Sequence, residues 1–166
     1  MQSMETIVNY FAKDMRAHGI PVRTIRNVRV NNSINYFGCC RLYRKDNTIA
    51  DITISNMTIA NGSESIKNTI IHELCHASLP INENHGKQFQ GLAKKVSKIY
   101  HTDIKQYGDR TKDTEEFRKQ QYKYKVTCKH CGSTWYYIRQ TKFVKYPHLY
   151  QCGCGSNDFT VDVLRS

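Results

Sequence analysis

The sequence predicts an α+β chain in two parts, a helix-and-strand domain followed by a small cysteine-bearing module. Three observations predict it. Apolar residues recur at helical spacing near the start and again after residue 61, with a strand-like stretch over 22–56 between them. A polar, aliphatic-poor segment, KQYGDRTKDTEEFRKQQ, then occupies 105–121. Beyond Tyr122 the composition turns to paired cysteines, aromatics and lysines. The expected division is a domain over 1–104, a linker over 105–121 with a possible helix at its FRKQQ end, and a second module over 122–166.

Each element has its own signal. Ile7, Val8, Phe11 and Met15 define one helical face within 4–18, and Gly19 with Pro21 ends it. VRTIRNVRV, INYFGCCRLY and IADITIS are rich in β-branched and aromatic residues. They are separated by Asn31-Asn32-Ser33 and Lys45-Asp46-Asn47, which predicts an antiparallel meander. Asn61 or Ser63 is placed to cap the next helix, with Glu64 in its first turn. Ile66, Ile70, Leu74 and Ala77 form the stripe of that helix down to Leu79-Pro80. A further helix begins near His85 and buries Phe89, Leu92, Ala93, Val96 and Ile99.

Charge and cysteine usage narrow the partners. The 166 residues carry 25 Lys/Arg and 14 Asp/Glu, a formal net charge of +11. This excess suits a polyanionic partner such as DNA. No apolar run approaches the roughly 18–20 residues needed to cross a bilayer, so no membrane role is expected. The opening MQSMETIVNYFAKDMRAHG is amphipathic and lacks the features of a secretory signal, which predicts an intracellular, cytoplasmic protein. Seven cysteines, an odd number, argue for thiols and metal ligands over a disulfide framework.

The segment IIHELCHASLPINENHGKQF carries the first candidate site. His72 and His76, four apart, share one helix face, so both imidazoles can reach one metal ion. Glu73 follows the first histidine and lies close without having to be a ligand. That is the logic of the HExxH arrangement, two nitrogen ligands with a carboxylate beside an activated water. His85 is placed to fold back as a third ligand, and Glu83 is near enough in sequence to serve instead. Cys75 lies between the motif histidines, about 100° around the helix from His76, and is expected to be a small packed residue.

The second candidate site is TCKHCG, then QCGCG after a further stretch: Cys128, Cys131, Cys152 and Cys154. Two such knuckles bring four thiolates to one tetrahedral ion, and the module resembles a zinc ribbon. The intervening WYYIRQTKFVKYPHLY is strand-like. With one residue between Cys152 and Cys154, His130 or His148 is an alternative fourth ligand. A closed four-coordinate site of this kind is structural and holds a small module together. Lys123, Lys125, Arg139, Lys142 and Lys145 alternate with Tyr122, Tyr124, Tyr136, Tyr137, Phe143 and Tyr146. Such a pattern either grips single-stranded nucleic acid or packs a small hairpin.

With these residues assembled, the chain resembles the SprT-like family of metallopeptidases, to which the Spartan DNA–protein crosslink proteases belong. The matching features are the leading helix, YFGCCRLY, DITISN, HELCHA, HGKQF and the C-terminal cysteine ribbon. The resemblance implies an α+β, zincin-like minimal peptidase domain, with helices and a small antiparallel sheet, followed by a zinc ribbon. It implies a catalytic zinc on His72, His76 and His85, Glu73 as the catalytic residue, and a DNA-associated role. The CxC knuckle departs from the commoner CxxC. The expected activity is zinc-dependent cleavage of protein substrates associated with or crosslinked to DNA, single-stranded or disrupted. The ribbon, with its structural zinc, would assist DNA binding. The rival from another class is a nucleic-acid-binding zinc protein without peptidase activity. The natural substrate and oligomeric state have no signal in the sequence.

Overall fold

A computed structural model describes residues 3–104 and 112–165. The chain forms two compact units, Met1–Phe117 and Arg118–Ser166. The segment expected as a linker lies partly outside the described residues, and its later part is a helix, Lys112–Gln121. Among the described residues no helix is long and apolar enough to cross a membrane.

In chain order the first unit contains α1 (Met4–Ala17), β1 (Thr24–Asn31), β2 (Gly38–Leu42), β3 (Ile49–Ser55), α2 (Asn56–Ala60), α3 (Ser63–His76) and α4 (Lys87–Tyr100). Helix α5 (Lys112–Gln121) leads into the second. Ser3 caps α1 by accepting a hydrogen bond from the Thr6 N–H at 3.1 Å. Val8, Ala12 and Met15 form the buried face of α1, and Gly19, at φ +73°, turns the chain away from it.

The three strands do not form the expected meander. Their order is β1-β3-β2, with β1 parallel to β3 and β2 antiparallel to it. The physical reason lies in β3, where Ala50, Ile52 and Ile54 are all fully buried and Ser55 is buried beside them. The most apolar strand takes the centre, where both edges are paired. Strands β1 and β2 keep polar residues along their length and flank it. The turn residues at 31–33 therefore begin a crossover past β3 rather than a hairpin.

Two further corrections concern the approach to α3. A short helix, α2, follows β3 directly, capped by the Ser55 hydroxyl, which accepts from the Met57 N–H at 3.0 Å. The N-cap of α3 is then Gly62, at φ +91°, and neither Asn61 nor Ser63 serves. Of the predicted stripe, Ile70, Leu74 and Ala77 have no exposed surface and Ile66 is partly buried, and Ile71 and Cys75 are buried beside them. Each such aliphatic side chain contributes about 1.5–3 kcal/mol through burial. At the far end of α3, Arg23 donates to the Ala77 and Leu79 carbonyls at 2.9 and 2.7 Å. This fixes the end that carries His76 and complements the helix dipole.

The second unit is an antiparallel sheet of order β5-β4-β6, built from β4 (Tyr124–Cys128), β5 (Thr134–Tyr137) and β6 (Phe159–Val163). The stretch expected to be strand-like throughout is strand only as β5. Thr141 caps a short helix, α6 (Lys142–Lys145), and a 3₁₀ turn follows over Pro147–Leu149. The apolar residues there close over the sheet: Phe143 meets Trp135, Tyr137, Tyr150 and Phe159 at ring separations of 4.9–6.1 Å.

On the first sheet, the register shifts between Ile25 and Asn27, leaving Arg26 at a bulge. Its guanidinium donates to Asp51 at 2.9 and 3.1 Å and lies 4.4 Å over the Tyr43 ring. The Tyr43 hydroxyl also donates to Asp51. Arg26 thus holds the Asp51 carboxyl below its usual value. A lowered carboxyl stabilises the fold at pH values above the ordinary carboxylate range, and that contribution disappears as the pH falls through it. Asp51→Asn should therefore lower the melting temperature at pH 7 but have progressively less effect below about pH 4, measured by circular dichroism across that range.

Candidate metal centre and ribbon

His72 and His76 stand one turn apart on α3, and His85 arrives from the loop between α3 and α4. Their three Nε2 atoms converge, with separations of 3.1 Å (His72–His85), 3.2 Å (His72–His76) and 3.1 Å (His76–His85). A neutral imidazole offers either a proton or a lone pair at Nε2, so three mutual contacts cannot all be hydrogen bonds. One cation among them satisfies all three. A tetrahedral zinc with Zn–N of about 2.0–2.1 Å spaces its ligands about 3.3 Å apart, close to what is found. At two of the histidines the protonation state also suits a metal: burial, then the neighbouring imidazoles, push His76 down to about 4, and burial lowers His85. At neutral pH no proton competes for those lone pairs.

Glu83, the alternative third ligand, has another task. Its carboxylate accepts the Gln88 N–H at 3.0 Å and so caps the start of α4. It is outside the converging group, which consists of His72, His76 and His85. The Gln90 amide donates to the His85 carbonyl at 3.2 Å and tethers that loop to α4.

Phe89 was expected only as core. It is buried, and its ring lies 4.9, 4.6 and 4.7 Å from the rings of His72, His76 and His85, nearly parallel to His76. One aromatic face therefore fixes all three imidazoles. The signal was the spacing His85-x-x-x-Phe89, which places the ring one helical turn behind the loop histidine.

Glu73 is 6% exposed and lies against β2. A side-chain carbon at Gly38 would fall 2.6 Å from Thr69 Cγ2 and 2.8 Å from Glu73 Oε1, so only glycine permits this approach. Burial pushes the Glu73 carboxyl up to about 8, against the Cys40 backbone N–H, which bonds to it and favours its ionised form. A dication at the adjacent histidines would lower it again. Sequence reasoning did not assign Gly38 or Cys40 to the site, although a lone glycine inside a strand signals a close backbone approach. Cys75 is fully buried in the core, as its angular position predicts.

These observations come together in one comparison. Residues 12–130 match the SprT-like family. The chain belongs to the SprT-like family. Its match takes in both motif histidines, His85, β2 and the first cysteine of the ribbon. The family is associated with zinc-metallopeptidase-like activity, and the histidine group of this SprT-like chain is of a kind that suits zinc. No curated protein matches the chain.

In the second unit the four cysteines converge as the spacing implies. Cys128 and Cys154 sulfurs are 3.7 Å apart and those of Cys131 and Cys152 3.5 Å, close to the roughly 3.8 Å edge of a tetrahedral Zn–S₄ centre. Neither His130 nor His148 belongs to this cluster, so the one-residue knuckle needs no histidine. In the Cys128–Cys131 knuckle the Cys131 N–H lowers Cys128 and Ser133 lowers Cys131 to about 6, whereas at Cys154 the lowering Ser156 backbone bond is outweighed by burial and the neighbouring thiols, which push it up to about 12.

The ribbon sheet sorts its aromatics. Val126, Trp135 and Val161 share one face with Tyr124, Tyr137 and Phe159, the face under Phe143. Lys125, Tyr136 and Asp162 share the other, where Tyr136 is 46% exposed and its ring meets Tyr122 at 5.2 Å.

Two independent clusters predict about two zinc ions per chain by elemental analysis. His76→Ala should remove about one and leave the ribbon folded. Cys131→Ser should remove the other and expose the Trp135 fluorophore, because a unit this small has little core without its metal.

Proposed function

We propose that the chain is a zinc-dependent endopeptidase acting on proteins associated with or crosslinked to DNA, with the ribbon contributing to DNA binding. The observation that carries the catalytic part is the convergence of three imidazoles, two of them on α3, beside the buried Glu73 carboxylate of that helix. Zinc bound there would supply a Lewis acid that activates water and polarises a peptide carbonyl. Within that setting His72, His76 and His85 hold the ion, and Phe89 keeps their rings in place. Glu73 takes the proton of the attacking water at its carboxylate and passes it to the departing amine. The Cys40 N–H orients that carboxylate, and Gly38 lets the strand come close enough to do so. The ribbon zinc on Cys128, Cys131, Cys152 and Cys154 is structural.

The DNA part is supported by the net charge of +11 and by the sheet face on which half-buried Lys125 lies beside exposed Tyr136. A cation beside an accessible ring follows a phosphate backbone and stacks on an unpaired base.

Glu73→Gln keeps the shape and removes the base. It should retain about two zinc ions while its rate of casein or self-cleavage falls by about 10²-fold or more. Full activity in that variant refutes the assignment. Gly38→Ala should retain zinc yet lower kcat by about tenfold or more, because the added carbon displaces Glu73. In the same assay single-stranded DNA should raise the rate, with the stimulation falling steeply between 50 and 200 mM salt. Equal rates with and without DNA at low salt refute the DNA-dependent part alone.

A further inference from the structure

Beside the metal centre lies a groove of about 510 Å³ that none of the preceding assignments uses. It runs along one face of α4, where Gln90, Lys94 and Lys98 follow at four-residue spacing, and the segment ending at Ile104 forms its other wall. His85 and Phe89 stand at one end of it, so the groove opens onto the same two residues that complete the histidine cluster. Its floor is apolar: Phe89 is 2% exposed, Ala93 6% and Ile104 8%. Its rim is cationic, with Lys94 and Lys98 set against Asp103. Both lysines are exposed, and among the described residues neither has an ion-pair partner.

We propose that this groove is the subsite that selects the peptide to be cut, and that it receives an acidic side chain next to the scissile bond. The inference rests on the peptidase reading above and adds the substrate chemistry. The methylenes of a glutamate lie on Phe89, Ala93 and Ile104, while its carboxylate reaches one or both lysine ammonium groups at the rim. Its size is that of a small-ligand site, roughly 300–1,000 Å³, which leaves room for a glutamate side chain. Position agrees too: the lining of the groove includes His85, one of the three converging histidines. A nucleic-acid backbone fits less well. Phosphates need cations on an accessible surface, but neither an apolar floor nor an end wall at a metal ligand.

The test uses the full zinc-loaded chain, with and without single-stranded DNA. The substrates are matched peptides carrying Glu, Gln or Lys at each position flanking a single cleavable bond. For the wild type, kcat/KM for the Glu peptide should exceed that for the Lys peptide by about three- to tenfold at one position, the size given by one or two partly exposed ion pairs. Lys94→Glu/Lys98→Glu should invert that ratio, and Lys94→Gln/Lys98→Gln should bring it near one. Zinc content and circular dichroism of both variants verify that they fold. A wild-type ratio near one at every position, or a ratio that the reversal leaves unchanged, overturns the subsite while the peptidase reading stands. Absence of any cleavage by the zinc-loaded wild type overturns both. If the reversal weakens single-stranded DNA binding without moving the ratio, the groove belongs to nucleic acid and the proposal is overturned.

Discussion

Three imidazole nitrogens within 3.2 Å of one another form an arrangement that an isolated polypeptide resists. Much of the first unit can be understood as what holds them there. Two of the rings come from a single helix, so their separation is set by the helical repeat and needs no further support. The third comes from a loop and has no such guarantee. It is fixed by the Glu83 cap on α4, by the Gln90 bond to the His85 carbonyl, and by the Phe89 face against which all three rings rest. Helix α3 is in turn fixed by burial on its other side and by Arg23 at its carbonyl end.

Glu73 poses the opposite electrostatic problem. Its enclosure against β2 favours the uncharged acid, whereas proton abstraction requires the carboxylate. The Cys40 N–H offsets part of this, and a neighbouring dication would offset more. In the proposed peptidase, Glu73 would therefore ionise fully only beside a bound dication. Burial that would be a defect in an ordinary surface glutamate becomes a way of linking ionisation to metal loading.

The helices of this chain were readable because an apolar stripe with period near 3.6 states both the element and its buried face. Ile70 and Leu74 lie where the stripe placed them, and His72 and His76 follow on the adjoining face. The cysteine knuckles were readable because spacing and tight turns constrain them locally. The sheet order was not readable, since alternation along β1, β2 and β3 says that each is a strand but not which neighbours it pairs with. Helix α6 was hidden because Phe143 and Val144 are strand-favouring residues, yet there Val144 is buried and Phe143 packs on the sheet aromatics from outside the sheet. Gly38 and Cys40 act through backbone position, and a side-chain pattern carries little information about that.

Gly38 has a consequence for assembly as well as for chemistry. Were β2 to slide by a single residue along β3, Phe37 or Cys39 would take the place where nothing larger than hydrogen fits beside Thr69 and Glu73. Misaligned pairings are thereby penalised at the centre of the unit, where edge strands are otherwise prone to drift. The spot that admits the Glu73 carboxylate against β2 also acts as a gauge of whether the sheet has zipped correctly.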